Sequence, residues 1–266
     1  MKRLLAFTIS ALLLCPMTSF AAQTDEAKAV YQEMMEKSQT LNEMNAYYDM
    51  TVQMTGDMFQ ELGINSMDMR IEMNTRIQNM TDLPHLRYHA YTRISMPEMM
   101  ETEPIEGSMY YMDGDYYMDM LGQKTKTPMP LDQAMEEIAS ASQMFDNTSL
   151  EEFTDLTLRT EGENRILSYT MNAGKLNDQM KAILGASGMS SLYQGVTFNV
   201  SNIRGEYIVN PDGYYIKANI LMDMSMTMEG EALNMSIVAD VGVADPGQPV
   251  AVNWPNPAEY VEQPIS

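Results

Sequence analysis

The clearest pattern along the chain has a period of two. Ile220, Met222, Met224, Met226 and Met228 alternate with Leu221, Asp223, Ser225, Thr227 and Glu229, as in a strand with one apolar face and one mostly wet face. The alternation returns at Met67, Met69, Ile71 and Met73 against Asp68, Arg70, Glu72 and Asn74, and more briefly at Met50, Val52 and Met54. The same reading predicts strands over Ala46–Gly56, Asn65–Met80, Leu86–Met96, Leu156–Gly162, Arg165–Asn172, a strand ending near Val209, Tyr214–Glu229 and Leu233–Val243. Three segments have helical spacing instead. Over Thr24–Asn45, Ala27, Val30, Tyr31, Met34, Ser38 and Leu41 share a face, and Asp25 and Glu26 suit the first turn. A second helix starts at Pro130 with Leu131, Met135, Ile138, Ala139 and Ser142 on one side. A third carries Leu176, Met180, Ile183 and Leu184 and ends at Gly185.

Turn residues punctuate these elements. Asp113-Gly114 lies between two Tyr/Met runs, Met109 to Met120; this pair can take the positive φ angles of a tight hairpin. Further turns are predicted at Gly162–Asn164, Asn210–Gly213 and Glu229–Glu231, and a Pro- and Glu-rich loop over Met96–Gly107. With no regular alternation of strand and helix, a parallel sheet is not expected. The expected fold is α+β: one strongly curved antiparallel sheet, a half-barrel, over residues 23–245, with helices on its concave face. A duplication of two meanders, each preceded by a helix, is the alternative organisation. Residues 246–266 are proline-rich and read as an extended tail on the body, anchored by Trp254 and Tyr260.

The N-terminus reads as an export signal. Lys2 and Arg3 precede an apolar run, Leu4 to Cys15, too short to span a bilayer, and Ser19-Phe20-Ala21 offers small residues for cleavage, so residues 1–22 are assigned to a signal peptide. Lipid anchoring at Cys15 is disfavoured because Leu13 and Leu14, not a small residue, precede it. The mature chain then has no cysteine, hence no disulfide or thiol nucleophile. No other apolar run is long enough for a membrane helix. The expected location is secreted or in the cell envelope. The net charge of −21 becomes −23 without Lys2 and Arg3; such a surface repels nucleic acid and anionic head groups.

An exported start, a leading helix, long alternating strands, the YY-x-DG-x-YY hairpin of Met109–Met120 and two inserted amphipathic helices together resemble the LolA/LppX-like carriers. More narrowly they resemble an uncharacterised family of secreted or lipid-anchored Gram-positive proteins of that fold. The resemblance covers Thr24 to Asp245. It implies a half-barrel of antiparallel strands closed by helices over an apolar cavity; LolA-type members carry lipoprotein acyl chains and LppX-type members bind lipids. It carries no site residue over to this chain.

Composition sharpens the reading of the apolar faces. The chain has 30 Met but 6 Phe and 1 Trp. Methionine is unbranched and polarizable and adapts to irregular partners, whereas a closed core is better specified by Leu, Ile and Val. Met50, Met54, Met67, Met69, Met73, Met222, Met224, Met226 and Met228 are therefore the candidate lining of a cavity for an apolar or amphiphilic ligand, such as an acyl chain. The function expected is an exported, non-enzymatic binding protein, a cell-envelope carrier. The alternative is an interaction or signalling module with a closed core, docking another envelope protein through the concave face or the tail.

Other chemistry finds less support. Thioethers bind Cu(I), but Met-x-Met along one strand sets them about 7 Å apart, too far for one ion without a neighbouring strand. His85 and His89 on one strand lie about 13 Å apart. Asp113 to Asp115 lacks the remaining ligands of a calcium loop. No metal, cofactor or catalytic residue is assigned. Exposed methionines can also act as an oxidant sink. The tyrosine pairs Tyr47/Tyr48, Tyr110/Tyr111, Tyr116/Tyr117 and Tyr214/Tyr215 place one ring on each face, at a cavity rim or in cross-strand pairs.

Overall fold

A computed structural model describes residues 24–57, 59, 63–97, 103–134, 150–174, 177, 197–228 and 231–263, without the side chains of Phe198 and Met228. The signal segment 1–22 with Cys15, and most of the helices predicted from Pro130 and around Leu176, lie outside these residues. Only a first turn over 131–134 is described for the former.

The described residues open with α1 (Asp25–Gln39), capped by the Thr24 hydroxyl, which accepts from the Ala27 amide at 3.1 Å. Eleven strands follow in sequence: β1 (Met44–Gly56), β2 (Met67–Gln78), β3 (Arg87–Ser95), β4 (Ile105–Met112), β5 (Asp115–Met120), β6 (Gln123–Pro128), β7 (Phe153–Glu161), β8 (Asn164–Met171), β9 (Thr197–Val209), β10 (Tyr215–Met228) and β11 (Glu231–Ala244). A short β12 (Val261–Glu262) closes the list. They form one sheet in the order β12-β6-β5-β4-β3-β2-β1-β11-β10-β9-β8-β7. Every pairing is antiparallel except β12 with β6. The result is an open, curved half-barrel of the α+β class.

Three departures from the sequence reading have local causes. The first helix stops at Gln39, not Asn45, because Met44 and Asn45 are already paired with Ile77 and Arg76 of β2. β6 was not expected: the turn before it is Leu121-Gly122, with φ of 53° and 79°, and leucine seldom takes positive φ. The tail ends in a strand. It crosses the sheet by a Gln78 side-chain bond to the Val250 carbonyl at 2.6 Å, by Trp254 over Arg87, and by Tyr260 edge-on to Tyr117 at 5.2 Å. The predicted anchors, Trp254 and Tyr260, pack with Met112 and Tyr117.

Directly opposed residues share a face, so register sorts the sheet into an inner and an outer side. Tyr48, Met73, Val241, Ala218, Tyr207 and Leu167 lie in one inner row across six strands. Onto this face α1 buries Ala27, Val30, Tyr31 and Met34 against Phe153, Leu156, Leu167, Tyr169 and Val209. Tyr31 meets Phe153 edge-on at 5.0 Å, and the Arg165 guanidinium donates to Glu33 at 2.7 Å.

Candidate functional site

On the inner face the register sets four methionines side by side. Met67 lies opposite Met54, Met54 opposite Met235, and Met235 opposite Met224, on β2, β1, β11 and β10. The next row is Met69, Val52, Ile237 and Met222; the one after is Ile71, Met50, Ala239 and Ile220. Packing follows register. Val52, Met54, Phe59 and Ile237 are buried together, and Met50, Met67, Met69, Met222, Met224 and Met235 lie half-buried around them.

Six of the nine methionines singled out from the sequence thus meet in one patch: Met50, Met54, Met67, Met69, Met222 and Met224. Met226 is one row out, opposite Leu233, and Met73 is two rows from Met69, opposite Tyr48. The Met228 side chain lies outside the described residues. Six other members were not singled out: Val52, Leu233, Met235 and Ile237 on the strands, and Phe59 and Ile64 between them. Met235 sits in a strand whose alternation was legible, among Leu, Ile and Val rather than other methionines. Phe59 and Ile64 belong to the β1–β2 connection, which has no period to read; the Ile64 amide donates to the Phe59 carbonyl at 3.0 Å, folding both onto the cluster.

A bulge bends the sheet beside this patch. Leu221 faces Arg204 but Asp223 faces Ser201, so β9 carries an extra residue opposite Met222. Asn202 takes φ of 51° there and its amide donates to Asp223 at 2.8 Å. Such insertions increase local twist and bend the strand.

The outer face contrasts sharply. Glu106, Arg93, Glu72, Asp49, Asp240, Asn219 and Glu206 form one row across seven strands. Arg70 bonds Asp49 through two nitrogens at 2.9 and 2.7 Å, Lys217 bonds Asp240 at 3.0 Å, and Arg159 bonds Glu206 at 2.6 and 3.1 Å. Hydrogen bonds from Arg70 and Arg159 hold Asp49 and Glu206 below the usual carboxylate range. A shallow hollow of about 340 Å³ here is lined by Thr51, Asp68, Arg70, Glu72, Arg93 and Ser95, with its arginines already engaged by carboxylates. Exposed pairs of this kind contribute little stability each.

The remaining candidates separate. His85 is not on a strand; it ends a short turn, Leu83–His85, and pairs with Asp82 at 2.8 Å. His89 is on the outer face, stacked on Tyr110 at 4.4 Å, with both ring nitrogens buried and, among the described residues, without a hydrogen-bond partner. Desolvation, and then the Arg76 charge, push it down to about 4. Tyr110 faces Tyr117 and Tyr111 faces Tyr116, so these tyrosines pair across the hairpin. Among the described residues no three His, Cys, Asp or Glu converge as a metal site. No helix among them is long and apolar enough to cross a membrane.

A family model described as a family of unknown function (DUF6612) matches residues 26–243. No curated protein matches the chain by sequence. Among solved structures, the chain is similar to LprF from Mycobacterium bovis, at 14% identity over 89% of this chain and 99% of that one, with a TM-score of 0.43. It is also similar to the Mycobacterium tuberculosis lipoprotein LppX, at 12% identity over 87% and 100%, with a TM-score of 0.41. A DUF1329 family protein from Desulfovibrio piger follows at 12% identity over 80% and 92%, TM-score 0.23.

Proposed function

We propose that this chain, which belongs to the DUF6612 family, is a non-enzymatic cell-envelope protein that holds an apolar or amphiphilic ligand against its inner methionine face. The observation that carries this reading is the gathering of half-buried methionines from four adjoining strands on the face that α1 shares. Flexible thioether side chains re-pack around a guest at low cost. Each buried methylene contributes about 0.8 kcal/mol, so an acyl chain of ten carbons supplies roughly 8 kcal/mol before ordering costs. Cavity lining by Met50, Met54, Met67, Met69, Met73, Met222, Met224, Met226 and Met228 belongs to this proposal. So does export through the signal in residues 1–22. The element order, resembling the LolA/LppX-like carriers, implies the same class of ligand.

The test is direct. The mature chain is purified, examined by native mass spectrometry, and extracted with organic solvent; delipidated protein is then offered a fluorescent fatty acid. Co-purified lipid, or saturable uptake, supports the reading. Protein that arrives empty and takes up no probe rejects it.

A further inference from the structure

We propose that the row Met67–Met54–Met235–Met224 holds a Cu(I) site, binding one ion through the thioether sulfurs of Met54 and Met235 together with that of Met67 or Met224 beside them. Thioethers are soft, neutral donors that select Cu(I) over harder cations. Spacing along a strand, about 7 Å between alternate residues, is too wide for one ion. The register removes that obstacle. Three successive Met–Met oppositions place the four side chains on neighbouring strands, Met67 to Met54, Met54 to Met235 and Met235 to Met224. Opposed Cβ atoms lie about 4.5–5.5 Å apart, and three rotatable bonds per side chain let the sulfurs converge.

Packing alone does not account for this choice of residue. Among the described residues, methionine supplies seven of the twelve side chains in this cluster, but three of the fifteen in the cluster under α1. The larger cluster, with the same task of excluding water, uses Tyr, Val, Leu and Phe. Access is also provided. Met54 is 9% exposed, while Met67, Met224 and Met235 are half-buried, so the row is not sealed within the core. The rows from Met67 to Met224 and from Met69 to Met222 contain no charged side chain, which leaves hard divalent cations nothing to grip. The strongly negative chain still draws cations toward the surface.

This inference does not rest on the ligand-holding function. It is tested by anaerobic titration of the full mature chain with Cu(I) held by bicinchoninate, a coloured competing chelator. The expected result is withdrawal of one equivalent by the wild type. The double variant Met54→Leu/Met235→Leu should lose at least tenfold in affinity, and Met120→Leu, on the remote strand β5, should not. Leucine conserves volume and apolarity, so a loss of copper in the double variant reports the lost sulfurs rather than lost packing; fatty-acid uptake by the wild type, measured in a separate assay, tells copper and lipid failures apart. Methyl-labelled wild-type protein supplies a second readout free of mutation: Ag(I) should shift the methyl signals of Met54, Met67, Met224 and Met235. No transfer from bicinchoninate, transfer unchanged in the double variant, or silver shifts scattered over other methionines each overturns the proposal.

Discussion

The ring of Tyr47 lies over Gly242, its directly opposed neighbour on the outer face. A Cβ at position 242 meets the ring at separations no real side chain shows. The inner face repeats the device, with Tyr169 over Gly205. An aromatic ring thus fills the space a strand glycine leaves open. Gly242→Ala is expected to destabilise by about 1–3 kcal/mol through overpacking, read from urea unfolding. Adding Tyr47→Leu should recover part of that loss; a fully additive pair contradicts the steric account.

His89 is kept neutral by burial, so the pH dependence has a definite sign. Its value in the folded protein is about 4, against about 6.5 in an unfolded chain. Between these limits the unfolded state binds the extra proton, and stability rises with pH. It is complete above about 6.5 and falls as pH drops toward 4. Asp49, Glu33 and Glu206 are depressed carboxylates and act lower, below about 4.5. The urea midpoint should therefore fall from pH 7 to 4.5, and His89→Phe, which keeps the stack on Tyr110, should flatten that slope. An NMR titration of the His89 ring with a midpoint near 6.5 contradicts the assignment.

The bulge at Asn202 predicts a ranking rather than a single number. Both Asn202→Gly and Asn202→Val remove the bond to Asp223, but only valine is forced into positive φ. Valine should be less stable than glycine by about 1–3 kcal/mol. Equal stabilities would mean that β9 can shed its extra residue.

Tyr260 is 9% exposed and sits edge-on to Tyr117. Tyr260→Ala should cost about 3 kcal/mol, measured by thermal or urea unfolding. Deleting residues 246–266 uncovers the β6 edge and should promote self-association, visible in sedimentation. A truncated chain as stable and as monomeric as the intact one rules out a structural part for the tail.

The ligand-holding proposal makes its own demand on two residues. Met69→Glu and Met224→Glu place charge in the middle of the apolar patch at half-buried sites, where the fold tolerates it better than at Met54. Uptake of a fluorescent fatty acid should fall at least tenfold in the double variant while circular dichroism is preserved. Undiminished uptake would move the ligand off this face.

Much of the fold was legible because period-two alternation is a direct image of a half-buried strand, and Asp113-Gly114 carried both positive φ angles its turn needs. The Leu121-Gly122 turn makes the same geometry with a residue that gives no such signal, and β6 was lost with it. Meeting of Met54 with Met67 follows from a local connection and could be guessed; that of Met54 with Met235 depends on β1 choosing β11 as its second neighbour, which no local pattern encodes. Phe59 and Ile64 were invisible for the same reason: a non-periodic connection declares its apolar residues but not where they fold.

The first and last described elements are fastened crosswise. The first helix sits on strands made late, β7 to β9, and the last residues lie on strands made early, β2 to β6, while Thr51 at the sheet centre waits for Val238. Strands β1 to β6 and β7 to β11 each pair in chain order, but the β1–β11 seam, the seat of α1 and the seat of the tail all wait for residues made late. Those three contacts join residues far apart in sequence, and long-range closure of this kind is slow. The seam between β1 and β11 thus ties the earliest strand of the sheet to the last long one.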